Sequence, residues 1–87
     1  MDIPISRLII SSLILVQTAL PDGYTAEVTW NKKIAVFKNG NRVAMAFATV
    51  NDGLVKFIIL KNSPGEELQR KLVKKFPNFD PDKLYIL

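Results

Sequence analysis

The chain predicts an α+β domain: an N-terminal helix, a four-stranded antiparallel meander and a C-terminal helix, closed by a short final strand or a docked tail. Three observations carry that prediction. Leu8–Leu20 is an almost unbroken apolar run, longer than a typical strand. Between Tyr24 and Leu60 apolar residues follow a two-residue period, broken at Asn39-Gly40 and Asp52-Gly53. After Ser63, Leu68, Leu72, Val73 and Phe76 recur at helical spacing. At 87 residues the chain is expected to form one domain, 1–87, with a modest core.

The first element is expected as a helix over Pro4–Ala19, with Pro21-Asp22-Gly23 as a sharp stop. Ser11, Ser12, Gln17 and Thr18 interrupt its apolar run, and a bilayer span needs about 20 apolar residues. No membrane partner is therefore expected. The run resembles a signal-peptide core behind Arg7, but acidic Asp2 and bulky Gln17 fit that role poorly, so a cytoplasmic location is expected. A helix apolar nearly all round must be buried nearly all round. One sheet face cannot do that, which makes a homodimer the expected assembly.

The first strand spans Gly23–Trp30, alternating Tyr24, Ala26, Val28 and Trp30 against Thr25, Glu27 and Thr29. It joins Ile34 through Asn31-Lys32-Lys33. A two-residue loop sets Trp30 beside Phe37, and a three-residue loop sets it in the core. Asn39-Gly40 then separates Ile34–Lys38 from Arg42–Phe47, the strongest short hairpin signal because a type I′ turn needs two residues with positive φ. Asp52-Gly53 repeats it before Leu54–Leu60. If both loops have two residues, Lys38 pairs with Asn41, Val36 with Val43, Phe47 with Ile58 and Met45 with Leu60.

On that register one face carries Ile34, Val36, Val43, Met45, Phe47, Ile58 and Leu60, an ordinary core surface. The other carries Ala35, Phe37, Ala44, Ala46, Ala48, Phe57 and Ile59, with Lys33, Arg42 and Lys61 at its margins. A slip of one residue would reassign a whole strand. The alanine face admits three readings: a helix packed closely onto it, an open platform, or a homodimer seam.

Ser63-Pro64-Gly65-Glu66 reads as a capping box that starts the second helix, and Pro77 ends it. Glu66 and Glu67 stand four residues before Arg70 and Lys71, so the Arg70, Lys71, Lys74, Lys75 cluster reads as a solvated face that complements the helix dipole. Asp80-Pro81-Asp82 reads as a turn, and Leu84–Leu87 as an edge strand or docked tail.

The chemistry is bounded by what is missing. With no His and no Cys, neither a Ser-His or Cys-His nucleophile pair nor the usual zinc set can be built in one chain. The acids have local explanations: Glu66 and Glu67 start a helix, Asp80 and Asp82 sit in a turn, and Glu27 points to solvent. Each of the four glycines is isolated, so no phosphate loop is formed. No catalytic residue, metal or cofactor is expected.

Twelve Lys and Arg against eight Asp and Glu give a net charge of +4, the footprint of a nucleic-acid binder. Position strengthens this. Lys32, Lys33, Arg42 and Lys61 fall at or beside the face carrying Phe37 and Phe57, which Trp30 joins if its loop has two residues. Rings that stack on bases, rimmed by cations that meet phosphates, are how single-strand binders work. The expected function is therefore non-catalytic binding of single-stranded DNA or RNA through Trp30, Lys32, Lys33, Phe37, Arg42, Phe57 and Lys61. The alternative is a homodimeric protein-interaction or adaptor module with no nucleic-acid role.

Overall fold

The computed structural model describes the backbone of residues 4–80, 82–83 and 85–86, and the side chains of 7–80, 82 and 83. Helix α1 (Pro4–Ala19) is followed by strands β1 (Thr25–Val28), β2 (Ile34–Lys38), β3 (Asn41–Thr49) and β4 (Leu54–Ile59), helix α2 (Ser63–Lys75) and strand β5 (Tyr85–Ile86). The strands form one antiparallel sheet in the order β1-β2-β3-β4-β5. The α+β prediction and its element order hold, and the final strand is present as two residues. Of the expected tail, Leu84 and Leu87 lie outside the described residues, as does Pro81.

The Asn39-Gly40 turn is the expected one, with φ of 52° and 80°, and Lys38 pairs with Asn41. Two pairs further on the ladder breaks. Phe37 is opposite Arg42, but Val36 is opposite Ala44, so Val43 is an extra residue in β3. This is a β-bulge, two residues set against one. Its mark is that Val43 and Ala44, adjacent in sequence, are both fully buried in the same core. Beyond it every side chain of β3 and β4 lies on the face opposite to the one expected.

The second hairpin also departs from expectation. Thr49 pairs with Leu54 and Met45 with Ile58, so the loop has four residues, Val50–Gly53, rather than two. That shift is even, so it leaves the faces of β4 matched to those of β3 as predicted. Only the bulge inverts them.

The core therefore consists of Ala26, Ile34, Val36, Val43, Ala44, Ala46, Val55 and Phe57 from the sheet, against Val16 and Ala19 of α1 and Leu68 and Leu72 of α2. Both helices lie on this one face. Of the three readings for the alanine face, close helix packing is the one the fold adopts, because Ala26, Ala44, Ala46 and Ala48 keep that surface low. Lys75 Nζ ties the helices together, donating to the Thr18 and Leu20 carbonyls at 2.9 and 3.3 Å. The end of α1 has no cation of its own, so α2 supplies the charge that its dipole and unpaired carbonyls favour.

The start of α2 is one residue from expectation. Asn62, not Ser63, is the N-cap: its Oδ1 accepts from the Gly65 N–H at 2.7 Å. Gly65 is required for space, since a Cβ there would lie 2.0 Å from the Leu60 carbonyl oxygen. As expected, one sheet face does not cover α1 all round. Leu8, Ile10 and Ile14 are each more than half exposed, so within this chain the helix buries only one side.

Candidate nucleic-acid interface

Because both helices share one face, the other face of the sheet is uncovered. Across it run two rows of paired residues, Glu27–Ala35–Met45–Ile58 and Thr25–Phe37–Arg42, with Phe47 beside Lys56 nearer the other end. Phe47 and Ile58 are half exposed, at 50% and 49%, and Phe37 and Met45 are partly buried by their neighbours. The apolar open face was anticipated, but on different residues.

Phe37 lies on the open face as expected of a stacking residue. Phe57 does not. It is 0% exposed, paired with Ala46 under the helices, so it is a core side chain with no surface to offer a base. The bulge at Val43 is the reason. The same inversion brings out Met45, Phe47 and Ile58, which the expected register had placed in the core. One signal could have identified them: Lys56 shares the parity of Ile58, and an ionisable residue in a strand marks the solvent side.

Trp30 takes neither expected address. β1 ends at Val28, opposite Ile34, and a tight turn follows. Lys32 N–H donates to the Thr29 carbonyl at 2.9 Å, with Lys32 in the left-handed region at φ 62°. The Thr29 hydroxyl accepts from the Lys33 N–H at 3.0 Å and bonds the Asn31 side chain. This network sets Trp30 at the tip of the turn, 94% exposed. Lys32 and Lys33 stand beside it, both exposed.

The remaining predicted cations lie at the opposite end. Arg42 follows the β2–β3 turn, and Lys61 follows the strand whose Leu60 N–H donates to the Val43 carbonyl at 3.0 Å. Phe47 and Arg42 are five residues apart on β3, about 17 Å at the usual strand rise. The structure thus brings Trp30, Lys32 and Lys33 together at one end and Arg42 and Lys61 at the other, with Phe47 nearer the first and Phe37 opposite Arg42 at the second.

Other cations are engaged elsewhere. Lys38 ion-pairs with Glu67 of α2, which also meets Lys71 at 3.3 Å. Both ammonium groups sit over the Tyr24 ring, 5.1 and 5.3 Å from its centroid. The hydrogen bond to Lys38 holds the Glu67 carboxyl below its ordinary range, and the same bond raises Lys38. Burial raises the Tyr24 hydroxyl. This cluster clamps α2 to β2 and is structural. Among the described residues the two ion pairs above involve none of Lys32, Lys33, Arg42 and Lys61.

A groove of about 450 Å³ opens where β2 stops. Ile34 is paired with Ala46, and β3 continues past it to Thr49. Ile34, Ala46 and Ala48 line it from the helix-covered face, Met45, Phe47 and Ile58 from the open face, and Leu8, Ile9 and Ser12 from α1. Lys32 and Lys33 complete its rim.

Among the described residues no group of three or more acidic side chains is placed to hold a metal ion. None of their helices is long and apolar enough to cross a membrane. Comparison with protein-family models, with curated proteins and with solved structures finds no match to this chain.

Proposed function

We propose that this chain is a non-catalytic binding protein that holds single-stranded nucleic acid across the uncovered face of its sheet. The observation that carries the reading is the open face itself, with Phe47 and, farther along, Phe37 opposite Arg42, flanked by exposed Trp30, Lys32 and Lys33 near one end and exposed Lys61 near the other. Rings interrupt the cations at intervals, so a strand laid along β3 would stack bases while its phosphates meet ammonium and guanidinium groups at both ends. Phe47 replaces Phe57 in this role. Stacking contributes roughly 1–3 kcal/mol per base and tolerates any sequence. The phosphate contacts make the affinity salt-dependent. A cytoplasmic location goes with this reading.

The test is a titration followed by Trp30 fluorescence, with single-stranded and duplex oligonucleotides at two salt concentrations. Phe47→Ala and Phe37→Ala are expected to weaken single-strand binding by about 1–3 kcal/mol each at an unchanged salt slope. Arg42→Ala or Lys61→Ala is expected to reduce that slope by about one unit. Wild-type protein that binds no oligonucleotide at low salt removes the reading.

A second reading, a self-associating interaction module, is favoured by one specific observation. Ile10 and Ile14, four residues apart on one side of α1, form an exposed apolar pair, each at 56%. Apolar patches on soluble domains mark contact surfaces.

A further inference from the structure

The groove at the end of β2 has a chemistry of its own, meeting the nucleic-acid reading at Lys32, Lys33 and Phe47. Its volume of about 450 Å³ is that of a small-molecule site. Its walls are aliphatic and aromatic, chiefly Leu8, Ile9, Met45 and Ile58. The one neutral polar side chain, Ser12, already donates its hydroxyl hydrogen to the Ala48 carbonyl at 3.3 Å. That leaves Lys32 and Lys33 as the polar groups able to meet a ligand, and neither belongs to the ion pairs found among the described residues. Water in such a space lacks partners along the walls, whereas a hydrocarbon would fill it favourably. Two adjacent cations at the rim set the sign of the ligand's head group.

We infer that this groove binds a free single-chain amphipathic anion, its alkyl part against Leu8, Ile9, Met45 and Ile58 and its carboxylate between Lys32 and Lys33. The apolar depth distinguishes this ligand from a phosphodiester. A nucleic acid on the open sheet face would share the two lysines and the Phe47 ring but not the α1 wall of Leu8 and Ile9, so the two ligands compete at the rim.

The experiment is a methyl NMR titration of the full chain with decanoate below its micelle concentration. Decyltrimethylammonium tests the charge and acetate tests the need for a chain. Saturable shifts of the Ile9, Ile34 and Ile58 methyls are expected with decanoate, none with acetate, and binding about tenfold weaker with the cationic amphiphile. The double variant Lys32→Asn with Lys33→Gln is expected to lose about tenfold in decanoate affinity and the charge preference with it. Both positions are exposed and asparagine tolerates the left-handed backbone of residue 32, so an unchanged melting temperature is expected. Absence of methyl shifts, equal binding of the two amphiphiles, or an unaltered affinity in the double variant would overturn the inference. Binding to anionic phospholipid vesicles without any response to monomeric decanoate would also overturn it, in favour of a membrane surface. Phe37, which is remote from the groove, separates the two readings: Phe37→Ala is expected to weaken oligonucleotide binding and leave decanoate binding unchanged.

Discussion

Tyr24 and Gly65 show how one atom decides what a position tolerates. The Tyr24 hydroxyl is buried and makes no hydrogen bond of good geometry among the described residues, with Lys38 its nearest polar neighbour in effect. An unmet buried hydroxyl costs about 1–3 kcal/mol, so Tyr24→Phe should stabilise the fold by roughly 1 kcal/mol in a thermal or urea melt. A loss of stability in that variant would mean the hydroxyl is bonded. Gly65 presents the opposite case. With the Leu60 carbonyl oxygen 2.0 Å from its absent Cβ, Gly65→Ala has to push α2 off the sheet. A loss of at least about 2 kcal/mol is expected, in the upper part of the overpacking range. Gly40→Ala should cost less, about 1–2 kcal/mol, because space is open there and only the φ of 80° opposes a side chain. Melting both variants side by side checks the order.

At the scale of elements, α2 is held by charge at both ends. Near its start Glu67 reaches Lys38 of β2, and near its end Lys75 reaches the carbonyls that close α1. The sign of the pH dependence follows from the shifts. Glu67 is lowered by Lys38, so its contribution is present above the unfolded glutamate pKa and lost as pH falls through the folded one. Lys38 is raised by Glu67, so its contribution is present below the unfolded lysine pKa and lost as pH rises through the folded one. Tyr24, raised chiefly by burial, adds to the alkaline loss. Stability should therefore hold across neutral pH and fall at both extremes. Glu67→Gln should flatten the acid limb measurably, and an identical acid limb would assign it to other carboxylates. Lys75→Gln is expected to cost about 0.3–1 kcal/mol and to fray the last turn of α1, read by amide exchange at Ala19 and Leu20.

The whole molecule is a two-layer fold with apolar surface left on both outer sides. Phe47 and Ile58 lie on the bare sheet face, and Ile10 and Ile14 lie on the back of α1. Covering a large aliphatic side chain contributes about 1.5–3 kcal/mol, enough for a modest patch to drive association. Under the self-association reading, light scattering at tens of micromolar should give a dimer. Ile10→Lys with Ile14→Lys should then give a monomer of unchanged melting temperature, since neither side chain is in the core. A monomeric wild type would remove that reading and leave the sheet face as the functional surface.

Most of this architecture is legible in the residues alone. Pro21-Asp22-Gly23 closes α1, Asn39-Gly40 makes a turn with two positive φ angles, and Tyr24 and Ala26 alternate inward against Thr25 and Glu27. Those features are local: each depends on the conformations a residue and its neighbours allow. What packing alone decides is which side of the sheet the helices cover. A two-residue period says which residues share a face but not which face is inside, and one bulged residue inverts the answer for everything beyond it. Val43 is buried because α2 and the core offer it a place next to Ala44, and no composition signal marks that choice. Hence Phe37 is legible as a surface ring, and Phe57 as a core one only through its neighbour Lys56, which marks the opposite side of β4 as the solvent side. Trp30 follows the same logic, since its exposure is set by the hydrogen bonds of the Thr29–Lys33 turn rather than by the strand pattern that leads into it. Local chemistry specifies the elements, and long-range packing chooses their inside.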